Sequence, residues 1–405
     1  MNLPAFIAKR ISFQSKRKFS KLSVRIAVIG IMLSLSVMML AIAIVKGFQT
    51  EIREKMRGFS GDILLIPFDL SSTESTPFSL NSDTLKKLKA YPEIEYMHPY
   101  AIKPGIINVN NEVEGVVMKG VDKTFNWNFF KKILVAGDVI DFSDSLKAKS
   151  QILISQHIAN RLRLKVGDTF IMYFLQQTPR PRRFKIAGIY NLGVEDVDKA
   201  YVIGDLSVIK RINDWKDTEV GGYELRVNDF NRLDEINAKV SDNINYRLRS
   251  YPVTLWHEII FQWLALLDIN TVVILILMLA VAVINMISAL LIIILERTNM
   301  IGILKALGST NWNIQKIFLL NAAYLIGLGL LFGNLLGIGL GLLQNYTHFL
   351  KLDQTSYYMS FVPVQLELWD IVLLNIGTIT LCLLVLIIPS MLVTRISPVK
   401  AIAFK

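Results

Sequence analysis

The chain has 405 residues, a mean hydropathy of +0.43 and 52% hydrophobic residues, which excludes an ordinary soluble domain. Its formal net charge is +11, but the excess is not gathered on one soluble face, so the balance excludes a nucleic-acid-binding reading. Residues 1–25 carry Lys9, Arg10, Lys16, Arg17, Lys18, Lys21 and Arg25 and no acidic residue. Phe6, Ile7, Ile11, Phe13 and Phe19 are interleaved with them. The stretch reads as an amphipathic helix in the cytoplasmic interface, with a solvated basic leader as the alternative. The apolar run behind it is too long for a cleavable signal peptide and lacks a small-residue cleavage pattern.

That run is the first of four that reach spanning length, at 26–46, 266–295, 316–343 and 370–394. Arg297, Lys305 and Lys316 follow the second run, and Arg395, Lys400 and Lys405 follow the fourth. The loop 344–369 has Lys351 against Asp353 and Glu367. By the positive-inside rule both termini (1–25 and 395–405) and the loop 296–315 are cytoplasmic.

The insert 47–265 is then extracytoplasmic, and from Gly47 to Leu264 it is nearly balanced, with 29 Lys+Arg and 28 Asp+Glu. The single cysteine, Cys382, lies in the fourth run, so the insert folds on its core without a disulfide. The first helix is predicted to continue through KGFQTEIREKMRGFSG and to stop at Gly58 or Gly61. Strand patterns follow at Asp62–Pro67, Ile106–Val109, Val113–Val121, Gln151–Ser155, Thr169–Gln176, Arg183–Tyr190, Lys199–Ile203 and Gly222–Val227. Helical patterns alternate with them at Asp83–Ala90, His157–Leu164, Leu206–Asn213 and Phe230–Ile244. Residues 69–82, DLSSTESTPFSLNS, read as a polar loop. The insert is α+β.

Catalytic motifs are missing. The chain contains no Gly-Lys pair, hence no phosphate loop, and no G-x-S-x-G or H-E-x-x-H. His98, His157, His257 and His348 have no ligand spacing and read as structural. No charge interrupts Ile26–Val45, Ile269–Leu295, Ile317–Leu343 or Ile371–Thr394 within these runs, which argues against a proton relay. Asn285, in the second run, reads as a helix–helix hydrogen bond.

The polar loop carries the sharpest pattern. After Thr298 or Asn299 as N-cap, Met300, Ile303, Leu304 and Leu307 follow i, i+3, i+4, i+7 spacing. Gly308 suits the stop, and Ser309 or Thr310 suits the cap of the next helix. The expectation is a short amphipathic helix across the membrane face, whose apolar ridge is either a ligand for a groove on a partner or an anchor for the loop. In the third run Gly329, Gly333, Gly337 and Gly341 recur every fourth residue, a stripe that lets another helix approach closely. Gly327 and Gly339 widen it. The partner helix belongs to this chain or to a second copy.

The stretch ERTNMIGILKALGSTNWNIQKIFLLNA resembles the coupling helix of the FtsX/MacB-type ABC-transporter permeases, E-R-x-x-E-I-G-(I/V)-L-(K/R)-A-(L/I/M)-G-(A/S), with Met300 where the family often has an acid. Within that superfamily the chain is similar to the lipoprotein-release permeases of the LolC/LolE type. The resemblance extends through the N-terminal stretch from PAFIAKR to EIREKM, through QILISQHIANRLRLKVGDTFIMYF and FKIAGIYNLGVEDVDKAYV, and to the closing TRISPVKAI. It covers essentially the full length. The implied fold is an α-helical membrane protein with four transmembrane helices and a large α+β periplasmic domain inserted between helices 1 and 2.

The resemblance also implies a mechanism in a bacterial inner membrane. The chain is the non-catalytic membrane subunit, paired with a second permease, either a copy or a LolC/LolE-type relative. Both sit on a cytoplasmic ABC ATPase dimer that binds ATP and Mg; this chain holds no cofactor. Lipoprotein substrates enter a cavity from the membrane lipid and leave to a periplasmic lipoprotein carrier. Coupling to the ATPase falls to Glu296, Arg297, Met300, Ile301, Gly302, Ile303, Leu304, Lys305, Leu307 and Gly308. The carrier-binding hook matches Gln176–Arg183, with Gln176, Thr178, Pro179, Arg180, Pro181, Arg182 and Arg183; a plain hairpin tip is the alternative. The prolines would stiffen it and the arginines would present forked donors. The lipoprotein cavity falls to Met38, Met39, Ile42, Val45 and Phe48, faced by Val273 and Leu277. Two other readings stay open: a MacB-like periplasmic extruder, and an FtsX-like signalling permease that controls a cell-wall hydrolase.

Overall fold

The computed structural model describes residues 18–68, 74–176 and 179–396. Residues 1–17 of the expected amphipathic leader, part of the polar loop, Thr178 of the hook and the end of the closing motif lie outside the described residues. Helix α1 (Lys18–Ser60) leads to β1 (Ile63–Pro67), α2 (Ser82–Lys89), β2 (Ile94–Val109), β3 (Glu112–Val121), α3 (Asn128–Ile133), β4 (Leu134–Gly137) and α4 (Ser145–Ala148). Then come β5 (Gln151–Ser155), α5 (Gln156–Leu162), β6 (Thr169–Phe174), β7 (Arg180–Tyr190), α6 (Glu195–Ala200), β8 (Tyr201–Asp205) and α7 (Leu206–Ile212). β9 (Gly222–Val227), α8 (Leu233–Asp242), β10 (Leu248–Pro252) and α9 (Val253–Trp256) precede α10 (Glu258–Glu296), α11 (Thr298–Ala306), α12 (Asn311–Thr347), α13 (Gln354–Tyr357) and α14 (Leu368–Ser390). Among the described residues, α1, α10, α12 and α14 are long and apolar enough to cross a membrane. The chain divides into two compact units: a helical one from residues up to 49, 263–351 and 361 onward, and a sheet-based one from 50–262 and 352–360.

In the helical unit, α1 buries Ile31, Leu35 and Met38, spaced three and four residues apart on one stripe. They share a core with Met286, Leu290 and Ile294 of α10, Phe318, Ala322 and Leu325 of α12, and Cys382 and Leu386 of α14. The glycine stripe of α12 packs mostly on α1 of the same chain. A Cβ at Gly329 would stand 2.7 Å from Ile31, one at Gly333 would stand 3.0 Å from Leu35, and one at Gly337 would stand 2.9 Å from the Met39 sulfur. Gly341 instead faces Val364 and Leu366. Ser36 Oγ reinforces the crossing, 2.9 Å from the Gly333 carbonyl. Gly327 and Gly339 do not widen the stripe, since nothing lies within 4 Å of a Cβ built on either. Gly329→Leu should therefore lower the unfolding midpoint of the chain, because an overpacked crossing costs about 1–3 kcal/mol. Gly339→Ala should leave it unchanged; thermal unfolding in detergent checks both.

Several polar side chains inside this unit are paired. Asn334 of α12 and Asn375 of α14 exchange amide hydrogen bonds at 2.9 and 3.0 Å. Lys46 reaches Glu367 and Asp370, each at 2.8 Å. Asn285 lies against Gly30, where a Cβ would meet its Nδ2 at 2.5 Å.

The sheet-based unit holds a ten-stranded mixed sheet in the order β10-β1-β9-β2-β3-β8-β5-β7-β4, with β6 beside β2 and β7. The pairs β3–β8 and β5–β7 are parallel and the others antiparallel. β2 is longer than the expected strand at Ile106–Val109, reaching back to Ile94. Pro99 and Pro104 hid its first half, since proline normally argues against an inner strand. Pro99 is tolerated because β2 at that point pairs only with β9, and β3 joins from Tyr100. The edge strands β4 and β10 were not expected; they are four and five residues long and lack a strong apolar alternation.

A buried ionic cluster joins the end of α1 to this sheet. Arg57 grips Asp62 at 2.5 and 3.0 Å, and Asp62 also accepts the Val227 amide at 2.7 Å. Glu54 accepts from Arg57 at 2.8 Å and from Arg226 at 2.7 Å. Further in, Lys119 pairs with Glu224 at 2.5 Å and donates to the Phe59 carbonyl, while His98 lies 3.2 Å from the same carboxylate. Burial alone would raise the Glu224 carboxyl, but Lys119 and His98 outweigh it and hold it below the usual carboxylate range. Residues 352–360 join the unit through Lys55 Nζ on the Tyr358 carbonyl at 2.8 Å and Gln354 on Asn191 at 3.0 Å.

His257 sits 3.2 Å from Ser60 Oγ, and burial, with Lys119 a lesser cause, pushes its imidazole down to about 4. The folded state therefore prefers neutral His257, so its contribution is complete above the unfolded value of 6.5 and is lost as the pH falls toward 4. Up to about 3 kcal/mol should disappear over that window. His257→Gln should flatten this part of the stability–pH curve, measured by denaturant unfolding at stepped pH.

Candidate functional site

The polar loop folds as expected into a short helix, α11, but with a different face inward. Its N-cap is Arg297, with no side-chain cap; the expected cap residue Thr298 bonds back to the Leu295 carbonyl at 3.1 Å. Ile301 is fully buried and Gly302 is buried beside it, while Met300 and Leu304 pack on the core from either side. Ile303 is 52% exposed and Leu307 is 78% exposed. The expected four-residue ridge is thus split: Met300 and Leu304 anchor the helix, and Ile303 and Leu307, one turn apart, stand free.

The helix ends where the sequence indicated. Gly308 adopts φ +89, a left-handed conformation that glycine enters without strain, and the Ser309 amide closes back on Leu304 at 3.0 Å. Thr310 then caps α12 through the Asn313 amide at 3.3 Å. Lys305 does not point away from the protein: it donates to the carbonyls of Thr394 and Ile396 at 3.2 and 2.8 Å. That tie fixes α11 to the segment after α14 and leaves the Ile303–Leu307 face as the free side. Glu296 and Arg297 are half-buried at the junction with α10.

The expected hook is a hairpin, but most of its named residues are paired strand. β6 and β7 run antiparallel, with Phe174 opposite Arg180, Tyr173 opposite Pro181, Met172 opposite Arg182 and Ile171 opposite Arg183. The connection is therefore 175–179, shorter than Gln176–Arg183, and includes Gln176 and Pro179. Arg180 turns inward to the Ile212 carbonyl at 2.9 Å. Arg183 is exposed and Arg182 is half-buried. Two arginines rather than three remain available on the arm.

The residues expected to line the apolar cavity differ in exposure within the single chain. Met38 and Met39 are both 2% exposed, one in the helical core and the other against Gly337. Phe48 is covered and meets Trp263 edge-on at 6.4 Å. Ile42 and Val45 are half-buried. Val273 and Leu277 are 50% and 56% exposed. Packing against Gly337 draws Met39 inward and the helical core takes up Met38, which methionine flexibility alone did not foretell. Sequence reasoning also missed the Asn334–Asn375 pair, although two asparagines inside apolar runs were the signal for it.

Comparison with known proteins places these features in context. Residues 26–243 match the MacB-like periplasmic core domain, and residues 272–398 match the FtsX-like permease C-terminal family. The chain is 22% identical to the lipoprotein-releasing system transmembrane protein LolC of Neisseria meningitidis over 436 aligned residues, covering 100% of both chains. It is likewise 22% identical to the lipoprotein-releasing system transmembrane protein LolE of Haemophilus influenzae over 432 aligned residues, again covering 100% of both. A structure of the periplasmic region of MacB from Actinobacillus actinomycetemcomitans overlaps 52% of this chain and 97% of its own at 12% identity, with a TM-score of 0.37.

Proposed function

The chain belongs to the MacB-like periplasmic core domain family, and on that premise we propose that it is the permease subunit of an ABC transporter for lipoprotein release. It extracts lipoproteins from the outer leaflet of an inner membrane and passes them to a periplasmic carrier. The full-length similarity to LolC and LolE proteins supports the substrate class. The observation that carries the mechanism is α11: a short helix anchored by Ile301 and Lys305 that leaves Ile303 and Leu307 uncovered. A pair of apolar side chains one turn apart is what a groove on a partner can grip. That partner is a separate cytoplasmic ATPase dimer, which supplies ATP and Mg. The charge pattern supports cytoplasmic termini and an insert in the periplasm, and four spanning helices. A second permease, identical or related, completes the membrane part.

The β6–β7 arm supports a carrier contact through Arg182 and Arg183, whose forked donors suit carboxylates. Arg182→Glu with Arg183→Glu should weaken carrier capture at least about tenfold in a pull-down titration, since two charge-assisted contacts reverse sign. Unchanged capture would remove the arm from the mechanism.

The function itself is tested by purifying the tagged chain from its native membrane and identifying what accompanies it by mass spectrometry. A small ABC ATPase together with triacylated lipoproteins is the expected result. The ATPase with a cell-wall hydrolase, or with an outer-membrane channel, and without lipoproteins, would overturn it in favour of signalling or extrusion.

A further inference from the structure

Strand β10 is one of the two edges of the sheet: it pairs with β1 and, among the described residues, with no other strand. An edge strand keeps unpaired backbone donors and acceptors on its free side, and proteins normally blunt it with lysine, proline or a covering element. Here Pro252 blunts only the last position of the edge, and the rest of it carries arginine and aromatic side chains. Strand alternation puts Arg249 and Tyr251 on one face, and their contact bears this out, with Arg249 Nη1 donating to the Tyr251 hydroxyl at 3.0 Å. The Arg249 guanidinium lies 3.9 Å from the centre of the Phe68 ring, and that of Arg247 lies 5.7 Å from the Tyr246 ring. Trp256 stands edge-on to Tyr251 at 6.0 Å. Neither arginine has a carboxylate partner among the described residues. Tyr246 is 82% exposed, Phe68 54% and Trp256 43%.

We propose that the β10 edge is a docking surface for an extended acidic peptide segment of a partner protein, which adds to the sheet beside β10. Charge complementarity fixes the class of occupant. Two guanidiniums held on rings, without carboxylates of their own, are preorganised for carboxylates, and ring stacking lowers the entropy lost when they bind. Tryptophan, tyrosine and arginine are also the residues that concentrate binding energy in protein interfaces. The free strand edge supplies main-chain pairing, and the arginines supply specificity for acidic side chains. Neither α11 nor the β6–β7 arm takes part, so this surface stands or falls apart from the transport reading.

The test uses the full chain in zwitterionic nanodiscs and fluorescein-labelled peptides of about ten residues, long enough to pair with an edge strand. One peptide alternates glutamate with valine, one replaces glutamate by lysine, and one is the acidic peptide N-methylated at alternate amides. The acidic peptide should bind in anisotropy titrations, and the lysine and N-methylated peptides should bind at least about tenfold more weakly. Arg247→Gln with Arg249→Gln should cost at least the same factor while leaving the unfolding midpoint unchanged. Arg249→Lys, which keeps the charge but loses the fork and the stacked plane, should recover only part of the affinity. Acidic-peptide affinity unmoved by the double change, or equal for the N-methylated peptide, overturns the proposal. So does a chain that ignores the peptides but binds vesicles of anionic phospholipid through the same arginines, which would make the surface a membrane contact.

Discussion

Leu307→Glu is expected to leave the chain folded in the membrane and to cut lipoprotein-stimulated ATP hydrolysis by the assembled transporter at least about tenfold. The reason lies in how α11 is held. Its inward side is secured by fully buried Ile301 and by Lys305 on two carbonyls, and Leu307, 78% exposed, contributes little to that anchoring. A charge at Leu307 therefore costs the isolated chain almost nothing. Against a groove that accepts an apolar side chain, the same carboxylate must be desolvated without a partner, a penalty of several kcal/mol. Ile303→Glu should behave in the same way. Ile301→Glu should do the opposite and deplete folded protein before any coupling can be measured. Stimulated hydrolysis retained in Leu307→Glu, with normal assembly, would remove this face from the contact.

The second large effect belongs to the sheet-based unit. Lys119→Met removes the cation that holds Glu224, a carboxylate only 2% exposed and also within 3.2 Å of His98. Breaking one side of a buried pair leaves the other charge uncompensated and typically costs about 3–5 kcal/mol. For a unit of this size the unfolding midpoint should fall by roughly 10 °C. Changing both partners, Lys119→Met with Glu224→Leu, should recover most of the loss, because no unpaired charge then remains. Tryptophan fluorescence melts distinguish the cases. A double variant as unstable as the single one would show that packing around Phe59 and Tyr100, rather than the charge, is what Lys119 maintains.

What the sequence revealed depended on which physical signal each element carries. Apolar length identified the four long helices, and the Gly308 stop of α11 was legible because a left-handed position favours glycine. Periodicity grouped Met300, Ile303, Leu304 and Leu307 on one side, but a two-turn helix has too little length to tell its buried stripe from its free one. Burial of Ile301 decided that, and it depends on a core shared with α1, α10 and α14 as well as with neighbouring α12. The glycine stripe announced a close crossing without naming its partner, which proves to be mainly α1. The burial of Met38 and Met39 was illegible for a related reason. Their flexibility is intrinsic, but their burial is set by other helices: Met39 lies against Gly337 and Met38 sits in the shared core. β10 was illegible because its residues, LRSYP, suit an exposed edge better than a core.

The reciprocal amide pair between Asn334 and Asn375 bears on how the chain is made. Each asparagine donates to a carbonyl four residues back in its own helix and also to the other asparagine, so each amide oxygen waits for the second helix to gain its bond. During synthesis α12 emerges before α14 and would carry an unpaired Asn334 amide oxygen in hydrocarbon, where the missing bond is worth about 0.6–2 kcal/mol. The last span thus acts as a chaperone in cis for the third. A chain truncated before Leu368 would present an unpaired amide oxygen in the bilayer, a mark by which membrane quality control can recognise an unfinished product.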